Sequence, residues 1–213
     1  VEAKPYAVTA AKGAIAEHLK KHGFTDFHIS STRACPTIFR VRYRLLGTPK
    51  ISIVIANKDH ADDLKRCVDS IIEKTTYDNY EIIIVENNST TDEIFKYYEE
   101  LRKNPQIQIL EYEGEFNYSR INNMGVAKAT GEYVLLLNND TEVITAEWME
   151  NMLMYAQRDD IAAVGAKLYY GDNTIQHAGI VLGLGAHRAA GHTHYKAPHE
   201  HLGYMGRLCY AQD

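Results

Sequence analysis

The sequence predicts an α/β fold, a mainly parallel, doubly wound sheet with helices on both faces. Three observations carry this expectation. From Lys50 onward, short aliphatic runs alternate with segments of helical period, and strands separated by helices of that length form parallel sheets. The run Tyr133-Val-Leu-Leu-Leu137 lies between Gly131 and Asn138-Asn139-Asp140, the pattern of a strand buried on both faces. Each of the first four strands also ends in a polar loop, where open α/β sheets place their ligands.

In chain order, residues 6–22 carry Val8, Ala11, Ile15 and Leu19 on one face and Glu17, Lys20 and Lys21 opposite. This predicts an amphipathic helix closed by Gly23. Residues 38–46 alternate apolar side chains with arginine, the period of a half-exposed strand. Gly47-Thr48-Pro49 then breaks the chain. Residues 1–49 are therefore expected to be an N-terminal appendage, for packing or for docking to a neighbouring domain, and residues 50–213 the main domain.

Ile51–Ala56 is the first expected strand of that domain. A helix follows over 61–73, with Leu64, Cys67, Val68, Ile71 and Ile72 at helical spacing. Glu81–Val85 is the next strand, and the helix after it runs through Ile94, Phe95, Tyr98 and Leu101 to the break at Asn104-Pro105. Ile107–Leu110 is a third strand, Tyr118–Ala129 a third helix, and the Tyr133 run a fourth strand. A helix over 146–157 and a strand over 162–170 follow. Beyond Tyr170, a short strand over 180–184 is embedded in a Gly- and His-rich stretch that reads as a long loop.

Bulk properties narrow the function classes. A net charge of -5 with 24% charged residues of both signs gives no basic stripe, so nucleic acid is not an expected partner. No apolar run approaches the roughly 20 residues that a membrane span needs, and no signal-peptide pattern is present. Three cysteines at unrelated spacings argue for reduced thiols and against a zinc site. The expected setting is cytoplasmic, or peripheral at the inner face of the membrane. The chain opens on Val1 and stops at Asp213, just past an apolar-aromatic segment, and is expected to be one piece of a longer protein with other domains.

The chemistry is expected in the four polar loops. Ala56-Asn57-Lys58-Asp59 holds no glycine and no nucleophile, which excludes a P-loop, the dinucleotide fingerprint and a nucleophile elbow. Without a glycine cradle, a diphosphate would be held through metal. Glu86, at a strand end, is placed to accept hydrogen bonds from a nucleobase or ribose. Ser89, Thr90 and Asp92 suit helix caps as well as ligand contacts. Asn138-x-Asp140 supplies the hard oxygen ligands that Mg²⁺ or Mn²⁺ takes.

Ile51–Asp59, Cys67-x-x-Ser70-Ile71, Tyr77–Thr90, Asn122-Asn-Met-Gly125 and Ala129–Asp140 together resemble the family 2 glycosyltransferases, over residues 50 to about 185. The resemblance implies a GT-A type nucleotide-diphospho-sugar transferase fold. It also implies inverting, metal-assisted transfer of a hexosyl or deoxyhexosyl group to a glycan or polysaccharide acceptor. Glu86 takes the place of the family's base-reading aspartate, and Asn57 lies beside the nucleoside. The nucleotide is expected to meet Ala56, Asn57, Asp59, Glu86, Asn88, Asn123, Asn138 and Asn139. Asp140 and Asn138 match the Asp-x-Asp that binds Mn²⁺ or Mg²⁺. In some relatives a further metal ligand comes from the region that here holds His177, His192 and His194; a solvated loop histidine is the alternative.

The departures are specific. Ala56-Asn57 stands for proline-threonine, Asn138 for the first aspartate, and Ile121-Asn122-Asn123-Met124-Gly125 for Ala-Arg-Asn-x-Gly, with Arg120 out of register. The general base implied by the resemblance lies beyond Asp213, so the 213-residue chain is expected to bind its donor, a UDP- or dTDP-sugar, yet to transfer sugar poorly. Two other classes are the alternatives. A nucleotidyltransferase needs a Gly-rich basic loop after the first strand, which is missing, and a non-catalytic nucleotide-binding module would tolerate the neutral Asn138.

Overall fold

A computed structural model describes residues 5–33, 35–184 and 189–209. The elements are α1 (Pro5–Lys21), β1 (Phe27–Ser31), β2 (Phe39–Tyr43), β3 (Ile51–Asn57), α2 (Ala61–Lys74), β4 (Tyr80–Glu86), α3 (Asp92–Leu101), β5 (Ile107–Glu111), α4 (Tyr118–Lys128), β6 (Tyr133–Asn138) and α5 (Trp148–Ala156). After them come the short strands β7 (Leu168–Tyr169), β8 (Ile175–His177), β9 (Ile180–Leu182) and β10 (Ala190–His192). The chain divides into two compact units, Leu46–Glu150 and the described residues of Val1–Leu45 with Asn151–Asp213. This groups the segment after residue 150 with the N-terminal elements rather than with the sheet that precedes it.

In the second of these units, β1 and β2 form an antiparallel pair with Phe27 opposite Tyr43 and Ser31 opposite Phe39. The Arg158 guanidinium lies 4.8 Å from the Phe24 ring and 5.2 Å from the Tyr43 ring and is held by both Asp160 oxygens at 2.9 and 2.7 Å. The strand expected over 162–170 is only Leu168–Tyr169, paired antiparallel with β8. Ala162, Ala163, Gly165 and Ala166 offer a sheet little side chain to pack, so pairing begins only at Leu168. The short strand expected over 180–184 is Ile180–Leu182, paired antiparallel with β10.

The Leu46–Glu150 unit is built on a four-stranded sheet in the order β5-β4-β3-β6, parallel throughout. In the central strand every residue but Ala56 is buried, and Ile53, Val54 and Ile55 are fully so. Each such aliphatic contributes roughly 1.5–3 kcal/mol through burial. Strand alternation puts Val54, Ile83 and Val85 on one face, where Ile121 and Met124 of α4 pack against them. Ile53, Ile55, Ile82 and Ile84 point to the other face and are equally buried. On that side α2 and α3 touch one another and turn in Leu64, Cys67, Val68, Ile94 and Tyr98. Ile72 and Phe95, which the helical spacing placed with these, are exposed.

β6 differs from the expectation. Its residues alternate between half-buried and exposed, with Val134 42% and Leu136 51% exposed. The reason is its place at the sheet's edge: α4 contacts β3 and β4, and among the described residues no element covers that face of β6.

The opposite end of the sheet is tied by one carboxylate. Glu81 Oε1 accepts from Ser52 Oγ at 2.6 Å and from Thr130 N and Oγ1 at 2.8 and 2.9 Å, while Lys50 Nζ donates to Oε2 at 2.7 Å. Gly131 N donates to Ser52 Oγ at 2.8 Å. A Cβ on Gly131 would stand 2.6 Å from Lys50 O, so the chain enters β6 against the backbone of β3 where only glycine fits. Burial alone would raise the Glu81 pKa, but the bonds from Lys50, Ser52 and Thr130 outweigh it and hold it at about 2. Because the folded pKa lies below the unfolded one, this stabilisation is complete at neutral pH. It is lost as pH falls from about 4.5 toward about 2. Glu81→Gln should cost about 2 kcal/mol at pH 7, and the gap between the two proteins in urea unfolding should close as the pH is lowered into that window.

Candidate functional site

All four strands of the sheet end on the same side, and their loops surround a cleft of about 420 Å³. Its walls are Ala56, Asn57, Lys58, Asp59, His60, Asn87, Phe116, Ile121 and Asn139. The turn after β3 contains no glycine, yet Asp59 and His60 both adopt left-handed backbone angles, with φ of 51°. Such residues cost of order 1 kcal/mol each and persist where surroundings hold them. Here Asp59 Oδ1 accepts from Thr90 N and Thr91 N at 2.7 and 3.1 Å, and Asp59 N donates to Ser89 Oγ at 2.7 Å. These bonds, the Thr90 amide first among them, hold the Asp59 carboxyl below the usual carboxylate range. Asp59 thus lines the cleft while its carboxylate caps the entry to α3.

Glu86 is buried beneath the cleft rather than on its wall. Its carboxylate accepts from Ser89 N, from Ser89 Oγ and, at 2.6 Å, from the Tyr98 hydroxyl. Asn87 and Asn88 anchor the loop after β5: Asn87 Nδ2 donates to Tyr112 O and Gly114 O at 3.1 and 2.9 Å, and Asn88 Nδ2 to Gly114 O at 2.9 Å. Asn123 is exposed on α4. Asn117 caps that helix, accepting from Arg120 N at 3.0 Å. The Cys67 thiol, pushed up to about 12 by burial, donates to Asn138 O at 3.7 Å and is inert as a nucleophile.

At the end of β6, Asn139 Nδ2 donates to Asn57 Oδ1 at 2.7 Å, while the flanking Asn138 and Asp140 are exposed. Among the described residues no hydrogen bond or ion pair engages the Asp140 carboxylate. Among the same residues, no group of three or more His, Cys, Asp and Glu is arranged to hold a metal. One unpaired carboxylate and an amide oxygen are still the hard donors that Mg²⁺ or Mn²⁺ accepts, the other positions being filled by ligand oxygens and water. The residues present fit such an ion.

His192 and His194 belong to the other unit. His192 Nδ1 lies 2.9 Å from His177 Nδ1, and burial, then His192, lower the His177 pKa. The His194 and His201 rings are 5.6 Å apart.

Of the residues expected at the nucleotide, the structure therefore brings Ala56, Asn57, Asp59 and Asn139 together on one wall. Lys58, His60, Asn87, Phe116 and Ile121 join them and were not anticipated. Phe116 is 71% exposed, and an aromatic residue in an otherwise polar loop is the signal that would have found it.

The family model described as Glycosyl transferase family 2 matches residues 52–203, well over half the chain. The chain belongs to that family. Its α/β unit with a parallel four-stranded sheet is of the GT-A type. A Sinorhizobium fredii (strain NBRC 101917 / NGR234) relative described as uncharacterized protein y4gI is 40% identical over 207 residues, 97% of this chain and 22% of its own length. The O-antigen biosynthesis protein RfbC of Myxococcus xanthus is 39% identical over 192 residues, 90% of this chain and 15% of its own. The chain thus spans about a fifth or less of these curated relatives. Among solved structures, the mannosyltransferase PcManGT from Pyrobaculum calidifontis, in complex with GDP-Man and Mn²⁺, is similar with a TM-score of 0.49 and 14% identity. That match covers 75% of this chain and 44% of the other. No helix among the described residues is long and apolar enough to cross a membrane.

Proposed function

We propose that the cleft at the ends of β3, β4 and β6 is the donor site of a glycosyltransferase that moves a sugar from a nucleotide-sugar to a glycan or polysaccharide of the cell envelope, with inversion at the anomeric carbon. The observation that carries this reading is the Asn138-Asn139-Asp140 rim, one residue of which lines the cleft while its only carboxylate has no protein partner among the described residues. Family membership supports the reaction class. The O-antigen relative supports the acceptor class, and a UDP- or dTDP-sugar is the donor assigned.

In this reading Asn57 and Asn139 meet the nucleoside, and Lys58 places a positive charge on the wall that the diphosphate faces. Asp140, with the Asn138 amide oxygen, would hold Mn²⁺ or Mg²⁺, which neutralises charge on the departing diphosphate. The exposed Phe116 ring offers an apolar face at the rim, of the kind on which a nucleobase stacks.

The test is a thermal-shift panel of UDP, dTDP, GDP and CDP on the purified chain, each with and without Mn²⁺. One nucleotide is expected to raise the melting temperature by several degrees only when Mn²⁺ is present. An equal shift with and without Mn²⁺ would point instead to a binding module that does not use the metal, and no shift with any of the four would refute a donor site here.

A further inference from the structure

From Asn139 to Glu147 the chain is in neither helix nor strand, so its backbone groups must find partners outside a ladder. One helix supplies them. Cys67, Ser70 and Lys74 stand at i, i+3 and i+7 of α2, a spacing that sets them in a row on one face. The Cys67 thiol donates to Asn138 O at 3.7 Å and accepts from the Thr141 amide. Ser70 Oγ donates to Cys67 O at 2.8 Å and accepts from Val143 N at 3.0 Å. Lys74 Nζ donates to Val143 O at 3.0 Å and to Glu142 Oε1 at 2.6 Å. Just past the helix, Thr76 N donates to Ala146 O at 3.1 Å, and Trp148 Nε1 donates to Thr75 Oγ1 at 2.9 Å.

Cys67 and Ser70 are buried, and each bonds through its polar atom to the backbone of the segment that carries Asp140. That segment has little else to hold it. Pairing of β6 with β3 ends at Asn138, and α4 contacts β3 and β4 on the other face of the sheet. The turn's own bond, Thr141 N to Asn138 O, is long at 3.4 Å. Asn139 ties the turn to Asn57 on the cleft side, and α2 holds it from behind. Burial keeps the thiol protonated at neutral pH, so Cys67 acts on the turn through hydrogen bonds and adds no charge beside Asp140.

We propose that Cys67, Ser70 and Lys74 are positioning residues for the divalent ion, a clamp on α2 that fixes the segment 138–143 in the shape that presents the exposed Asp140 carboxylate to Mn²⁺ or Mg²⁺. The inference rests on the cleft being the donor site and on Asp140 being its metal ligand. A carboxylate on an unclamped turn must be ordered when the ion binds, and that cost is taken from affinity. The clamp meets it in advance.

The experiment measures Mn²⁺ binding directly, as loss of the free-Mn²⁺ paramagnetic resonance signal. It uses the full chain with UDP, dTDP, GDP or CDP at fixed concentration, against the same nucleotide without protein. Cys67→Ala should weaken Mn²⁺ binding about tenfold, the scale on which partners behind a metal ligand act, and Ser70→Ala should do the same. Cys67→Ser keeps a hydrogen to donate and a lone pair to accept, and should recover most of the loss. Lys74 is partly exposed, so Lys74→Ala tests the clamp without opening the core and should show a smaller loss in the same direction. Glu81→Gln is the control for stability: it loosens the far end of the sheet and should lower the melting temperature while leaving Mn²⁺ binding unchanged. Parent-like Mn²⁺ binding in the variants of Cys67, Ser70 and Lys74 that fold overturns the clamp. An equal weakening in Glu81→Gln also overturns it, because general loosening then accounts for the effect. Absence of protein-bound Mn²⁺ with all four nucleotides in the unaltered protein overturns the donor-site reading and the clamp with it, and is distinct from binding that the variants leave unaltered.

Discussion

Replacing Gly125 with alanine is expected to destabilise the parallel-sheet unit by about 2 kcal/mol, although alanine is the better helix former. The propensity gain is about 1 kcal/mol for Gly to Ala inside a helix. Against it stands an overlap. A Cβ at 125 would run into Val54 Cγ1 and stand 3.1 Å from Val85 Cγ2. Both valines are fully buried on the central strands, and a β-branched side chain has little room to turn away. Overpacking a full core costs about 1–3 kcal/mol, and a clash with two stiff partners belongs at or beyond the upper end.

α4 would ride outward, carrying Ile121 away from the cleft wall, so nucleotide affinity should fall along with stability. Val54→Ala made together with Gly125→Ala should recover part of the loss, because space opened on the strand accepts the new methyl group. Denaturant midpoints for the two single variants and the double variant test this. A Gly125→Ala protein more stable than the original would mean that α4 does not lie this close to the sheet.

Gly125 also shows what could be read in the sequence. The Asn122-Asn-Met-Gly125 motif was legible as a pattern, but its glycine gains a physical reason only when Val54 and Val85 are seen beneath it. The strand and helix order from Ile51 to Asn138 was legible because each apolar run has a definite period and is followed by polar punctuation. Burial of β6 was not. Tyr133-Val-Leu-Leu-Leu137 reads as two-sided burial, and nothing local says that the strand lies at the sheet's edge, beyond the reach of α4. β1 was missed because Phe27-His-Ile-Ser-Ser31 carries too few apolar residues to show an alternation, and its partner β2 supplies what its own sequence does not.

The same limit applies at the site. Asn57, Asp59 and Asn139 were legible as polar groups at strand ends, and the cleft gathers all three. That Glu86 is occupied by Ser89 and Tyr98 was not, because Tyr98 sits at a helical spacing that reads as ordinary core. Its hydroxyl becomes meaningful only when α3 brings it within 2.6 Å of one strand end and 2.8 Å of the next.

Replacing Asp140 with alanine is expected to abolish Mn²⁺-dependent nucleotide binding, a loss of roughly 100-fold or more in affinity, while leaving the fold intact. The two halves of this expectation have separate causes. The side chain is exposed and no protein group among the described residues bonds to it, so its removal leaves no buried atom unsatisfied and should shift stability by no more than about 0.5 kcal/mol. Its worth lies in charge. Asn138 and Asn139 flank it as neutral amides, so Asp140 is the only anionic ligand the rim offers to a divalent ion, and affinity for such ions rises steeply with the count of charged ligands. Asp140→Asn should therefore bind nearly as poorly as Asp140→Ala, although it keeps an oxygen in place. Asn138→Asp should act in the opposite direction, strengthening Mn²⁺-dependent binding about tenfold by adding a second carboxylate. If Asp140→Ala instead keeps its Mn²⁺-dependent nucleotide shift, the ion is held elsewhere and the rim of β6 is only a turn. If the shift is lost while Asn138→Asp gains, the carboxylate count at the end of this one strand sets how tightly the donor is held.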